Sequence, residues 1–221
     1  MRAAVYWAPE IADPLHALGS AWLGRDAETG APCRQPEGLA EITADARGYG
    51  LHATLKPPFH LARGWEALRV DVAALAARTP AFALPPLALR DLKGFLALRE
   101  TAPCPALHAL ADACVRELDS HRAPPSEAEL ERRRRAKLTA RHEANLQAWG
   151  YPYVLEDWQF HVTLTRRLTD AERAAIEPRA IAHFAASAAL PRMVTELCLF
   201  TQAAPGAPFL IAERFALKGL A

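Results

Sequence analysis

Residues 51–56 read Leu51-His52-Ala53-Thr54-Leu55-Lys56, and residues 160–165 read Phe160-His161-Val162-Thr163-Leu164-Thr165. Both stretches alternate apolar and polar side chains with a period of two, the pattern of a half-buried strand. On such strands His52, Thr54 and Lys56 share one face, and Leu51, Ala53 and Leu55 the other. His161, Thr163 and Thr165 are set in the same way against Phe160, Val162 and Leu164. The apolar faces are expected to pack into a core. If a pseudo-two-fold axis relates the strands, the polar faces meet across a cleft lined by two imidazoles and three other hydrogen-bond donors.

Working outward, each histidine strand is followed by a helical pattern and then by further strands. Residues 3–7 form a short apolar strand ended by Pro9. Asp13 and Pro14 predict a helix start, with Leu15, Leu18 and Trp22 at helical spacing and Gly24 as its end. Residues 25–50 have weak periodicity and are expected to form an ordered loop with at most a short helix. The first histidine strand should stop at Pro57 and Pro58. Residues 65–78 predict an amphipathic helix, 82–98 two short strands interrupted by Pro85 and Pro86, and 104–118 another helix. Residues 126–149 carry the longest helical signal, capped by Ser126, with acidic residues early and arginines after them. After the second histidine strand, Thr169 caps a helix over 170–184, and 194–201 and 209–217 read as strands. The expectation is one bilobal α+β domain over 1–221. The first lobe covers about 1–125, a connecting helix about 126–149, and the second lobe about 150–221.

The 221 residues include 26 lysines and arginines against 25 acidic residues, a net charge of +1. A balance so close to neutral gives no global field for holding a long nucleic acid, so any anion must be gripped locally. Four cysteines without CxxC spacing read as reduced thiols. No run of membrane-spanning length and no signal-peptide core is seen, and a cytoplasmic protein without membrane partners is expected. The eight histidines form no HExxH or carboxylate-histidine cluster, so no metal and no cofactor is expected.

Two imidazoles facing one cleft suit a phosphodiester. One, neutral, deprotonates the attacking water; the other, protonated, delivers a proton to the leaving oxygen. Thr54 and Thr163 are placed to donate to the non-bridging oxygens, where transition-state charge accumulates. Lys56 either adds a positive charge to this site or marks the strand end with its head in solvent. Arg25 reads as a clamp for a second phosphate or as a surface arginine, and Tyr6 as a cleft wall or a core aromatic. The four arginines at 132–135 fan around a helix, as a solvated face or as a guide for anionic substrate.

The tetrads His52-Ala53-Thr54-Leu55 and His161-Val162-Thr163-Leu164, on strands about a hundred residues apart, resemble the two-histidine (2H) phosphoesterase superfamily. That resemblance implies a bilobal α+β fold with antiparallel sheets facing a central cleft. Tyr6-Trp7-Ala8-Pro9, Trp22-Leu23-Gly24-Arg25-Asp26, the run on to Pro57-Pro58-Phe59 and Gly150-Tyr151-Pro152-Tyr153 are similar to the bacterial branch found beside phosphonate-utilisation proteins. The implied role is hydrolysis of a small cyclic or diester phosphate, a sugar or nucleotide, without a metal. An RNA-processing activity on cyclic phosphate ends is the second reading, disfavoured by the neutral charge and by the lack of an aromatic-basic stripe. A non-catalytic nucleotide-binding module is the third, disfavoured by two complete tetrads.

Overall fold

The computed structural model of the protein describes residues 1–220. Strand β1 (Arg2–Trp7), buried on both faces, takes the interior position that such a strand requires. It lies antiparallel between β2 (Ala53–His60) and β8 (Glu196–Gln202). The sheet continues through β9 (Phe209–Ala216) beyond β8, and through β6 (Val162–Arg167), β5 (Phe95–Glu100) and β4 (Leu87–Leu92) beyond β2. All six pairings are antiparallel, and the order is β4-β5-β6-β2-β1-β8-β9. A separate pair joins β3 (Phe82–Leu84) to β7 (Arg192–Val194).

One face of the sheet carries the main core. Ala3, Val5, Trp7, Leu55, Val162 and Leu164 pack there with α1 (Pro14–Leu23), α3 (Trp65–Arg78), α4 (Pro105–Glu117) and α7 (Asp170–Ala188). On the opposite face Ala4, Tyr6, Ala8, Cys198, Phe200 and Phe209 form a second cluster. The caps follow the sequence signals: Asp13 accepts from the Leu15 N–H at 2.8 Å, Gly24 ends α1 in the left-handed region at φ 79°, and Thr169 and Glu172 form a capping box.

The seam of the sheet is the join of β2 to β6, made by a single register pair, Ala53 opposite Val162. Each of these is the residue after a histidine. Antiparallel pairing therefore sets His52 opposite Thr163 and Thr54 opposite His161. Four strands lie to one side of the seam and three to the other, which gives the two lobes.

The lobes are not the two halves of the chain. β8 and β9 of the C-terminal half pair onto β1, while β4 and β5 of the N-terminal half pair onto β6. The repeat in the sequence therefore describes the order of elements and not their partners, because each histidine strand recruits its outer neighbours from the other half. The 126–149 stretch is two helices, α5 (Glu127–Arg134) and α6 (Ala140–Trp149). Thr139 restarts the helix by accepting from the His142 N–H at 3.2 Å, and Arg134 spans the break to Glu143 at 2.7 Å. Residues 82–98 hold parts of three strands, because Lys93 and Gly94, both at positive φ, turn β4 into β5. β2 runs through Pro57 and Pro58 to His60, since beyond Ala53 no β6 residue pairs with it and the missing N–H groups leave that ladder intact. No helix among the described residues is long and apolar enough to cross a membrane.

Candidate active site

Both histidines stand just before their strands and are held in the same way. The His52 Nδ1 lies 2.9 Å from the carbonyl of Gly50, and the His161 Nδ1 2.8 Å from that of Gln159, each two residues upstream. A carbonyl only accepts, so both Nδ1 atoms carry the proton and Nε2 is the free nitrogen on each ring. Gly50 is at φ 79°, and a Cβ there would sit 2.4 Å from the Ala27 side chain, so glycine is required where the chain presents its carbonyl to His52.

The rings have different surroundings. His52 stacks on Tyr6 with centroids 4.0 Å apart and faces Tyr49 at 5.8 Å. Desolvation, with a smaller contribution from His161, lowers its pKa to about 4. His161 meets the edge of Phe95 at 6.0 Å, and burial followed by the charge of Arg99 lowers its pKa as well. Thr54 and Thr163 lie half-buried on the cleft face, in a cavity of about 490 Å³ that His52, Tyr6, Tyr49 and Tyr151 also line. Tyr6 is fully buried as a residue, and burial holds its phenol well above its ordinary pKa, in the protonated, donating form.

Lys56 is not in this cleft. It is 2% exposed, and its Nζ donates to the Val115 carbonyl and to Asp119, both at 3.1 Å, on the helix side of the sheet. The reason is a β-bulge: Val5 pairs with Lys56 but Tyr6 pairs with Thr54, so the strict alternation counted from His52 fails after Thr54. β6 has the same irregularity. There Thr165 turns inward and accepts from the Leu96 N–H at 3.0 Å.

Arg25 is also withdrawn. Its Nε and Nη2 donate to the Arg47 carbonyl at 3.0 and 2.8 Å, closing the C-terminal end of α2 (Ala44–Tyr49) one residue before Gly50. It supports the turn that orients His52 and does not line the cavity. The cations that do line the cavity are Arg2, Arg132 and Arg133. Arg133 lies over the Tyr151 ring at 4.5 Å. The arginine run and the Gly150-Tyr151-Pro152-Tyr153 stretch were the available signals for this wall. Only the break between α5 and α6 reveals that they meet. Among the described residues, no group of three or more His, Cys, Asp or Glu side chains is placed to hold a metal ion.

An antiparallel sheet flanked by helices, with paired His-x-Thr-Leu tetrads at its seam, is the α+β arrangement expected of a two-histidine phosphoesterase-like fold. The chain belongs to the family described as protein of unknown function (DUF1045), which matches residues 54–210. It is 41% identical over 231 residues to the ribose 1,5-bisphosphate phosphokinase PhnN of Janthinobacterium sp. (strain Marseille), covering 99% of this chain and 51% of that protein. The chain spans about half the length of the curated relatives it matches. The TT0787 structure of Thermus thermophilus is similar in fold over 100% of both chains, with a TM-score of 0.51 and 17% identity. E. coli LigT, in a complex with NADP+, is similar at a TM-score of 0.49 and 16% identity over 98% of both chains.

Proposed function

We propose that the protein hydrolyses a cyclic phosphodiester on a small phosphorylated sugar, with His52 and His161 as the proton-transfer pair. The observation that carries this reading is the matched tethering of the two rings: each Nδ1 is bound to its own upstream carbonyl, leaving two free Nε2 atoms, and the strand register sets Thr163 across from His52 and Thr54 across from His161. One imidazole takes a proton from water as the hydroxide attacks phosphorus. The bond from phosphorus to the leaving oxygen breaks, and the other imidazole protonates that oxygen. The products are a phosphomonoester and an alcohol, and no redox or metal step is needed for balance.

The substrate class rests on the cleft's charge and on the activity for which the relatives are named. Arg2, Arg132 and Arg133 give the cavity cations suited to a second phosphate, whereas Arg25 does not line it. A ribose 5-phosphate bearing a 1,2-cyclic phosphate, opened at the bond to O2, yields ribose 1,5-bisphosphate, the compound named for the phosphokinase relatives. The test compares wild type and Arg133→Ala on that cyclic phosphate, on the same sugar lacking its 5-phosphate, and on RNA with a cyclic 2′,3′ end. The proposal expects preference for the doubly phosphorylated sugar, lost selectively in Arg133→Ala. Preference for the RNA end would overturn the substrate assignment.

A further inference from the structure

Across the ladder from each histidine the two lobes differ by one residue. In β5, Ala97 pairs with Thr163 and Leu98 with Val162, so the register brings Arg99 opposite His161. In β1, Tyr6 pairs with Thr54 and Trp7 with Ala53, so the matching position opposite His52 is Ala8. His161 thus has a guanidinium beside it where His52 has a methyl group.

That guanidinium is under-used. Its side chain is only 27% exposed, its Nε is buried with no hydrogen-bond partner among the described residues, and its carboxylate neighbour, Glu100, stands off at 3.6 Å. Burial raises the Glu100 carboxyl above its ordinary pKa, which weakens it as a counter-charge. Among the other poorly exposed arginines, Arg25 also keeps one buried nitrogen, Nη1, without a partner, although its Nε and Nη2 both reach the Arg47 carbonyl; two more are saturated. Arg192 bonds Asp13 and the Ser187 carbonyl and hydroxyl, and Arg214 bonds Glu28 and Glu196. A buried donor without an acceptor is costly and uncommon, and Arg99 lines an open groove of about 910 Å³ with Trp158, Gln159 and Phe160, on the His161 side of the seam and separate from the cavity of His52.

We propose that Arg99 binds a non-bridging oxygen of the reacting phosphate beside His161, which makes the pseudo-symmetric site functionally one-sided. This rests on the phosphodiesterase reading and assigns the roles it leaves open. An anion on Arg99 removes the positive charge that opposes protonation of His161 and puts a negative one in its place. His161 then gains a proton as the substrate docks and serves as the acid. His52, enclosed by Tyr6 and Tyr49 with no cation to be neutralised, stays neutral and serves as the base.

The test measures inorganic phosphate binding by calorimetry, and kcat/KM on a cyclic phosphate, for wild type, Arg99→Ala, Arg99→Lys and Glu100→Gln. Circular dichroism checks each fold. Arg99→Ala is expected to weaken phosphate binding and to lower kcat/KM by about 10- to 100-fold, the loss of one charge-assisted contact. Arg99→Lys should restore part of both, and Glu100→Gln should leave both near wild type. Phosphate uptake by wild type should be accompanied by net proton uptake, lost in Arg99→Ala. Phosphate affinity unchanged in Arg99→Ala, absent from wild type, or lowered equally by Glu100→Gln would overturn the assignment. Wild type that binds phosphate through Arg99 yet hydrolyses no diester would overturn the phosphodiesterase reading instead.

Discussion

The indole Nε1 of Trp158 donates to the carbonyl of Thr54 at 2.7 Å, fastening the loop that delivers His161 to the strand that follows His52. Only one register pair joins β2 to β6, so this bond is a second tie across the seam. On the helix side of the sheet, the Trp22 indole of α1 donates to the Leu164 carbonyl at 3.1 Å and anchors β6 to the helix layer. The segment leading to His161 is therefore tied to the strand after His52 by a bond outside the ladder, and proton transfer on both sides of one phosphorus demands such positioning.

Replacing Trp158 by Phe keeps the ring packing and deletes the donor. The expected result is a loss of about 1–2 kcal/mol in stability, typical of an unsatisfied partly buried carbonyl. A fall in kcat larger than any rise in KM should accompany it. Thermal denaturation and steady-state kinetics on the same preparation check this. A variant as stable and active as wild type would show that the seam needs no second tie.

The pH dependence follows from the burial of both rings. Desolvation disfavours the imidazolium, so His52, at about 4, and His161, lowered in the same direction, are both mostly neutral in the free protein near pH 7. The competent free form has one ring protonated, and it is lost as pH rises through the lowered values. A kcat/KM profile should therefore be bell-shaped with its maximum below the ordinary imidazole value of about 6.5. The kcat profile should be displaced upward, because a bound phosphate favours the protonated ring. A kcat/KM maximum above pH 7.5 would contradict the burial account.

Lys56 is a stability residue in this structure. Lys56→Met removes the charge buried against Asp119 and the Val115 carbonyl while keeping an aliphatic stem. The expected cost is about 2–4 kcal/mol, moderated because Arg122 still holds Asp119 at 2.8 Å. Residual folded protein should keep its KM for any phosphodiester. Chemical denaturation gives the first quantity and kinetics the second; a large KM change without loss of stability would return Lys56 to the cleft.

The elements were legible wherever a local signal existed: the caps at Asp13 and Thr169, the glycine stop at Gly24, and the two strands with their His-x-Thr faces. What alternation could not supply was the bulge after Thr54, which depends on how β1 pairs with β2 and sends Lys56 and Thr165 inward. Pairing partners were hidden for the same reason. Nothing local to β8 records that it joins β1, or to β5 that Arg99 will stand opposite His161. An arginine after Gly24 in a loop looks free in sequence, whereas the acceptors of Arg25, the Arg47 and Gly48 carbonyls, lie more than twenty residues away.

The most direct test of the paired mechanism is hydrolysis of a chromogenic phosphodiester by wild type, His52→Ala, His161→Ala and the double variant, all after exhaustive chelation. Wild type should keep its activity without divalent ions. Each single variant should lose about 10²- to 10⁴-fold in kcat while remaining folded. The double variant should lose far less than the product of the two, because the rings act as a unit. Near-normal turnover in either single variant, or activity abolished by chelation and rescued by zinc or manganese, would contradict it.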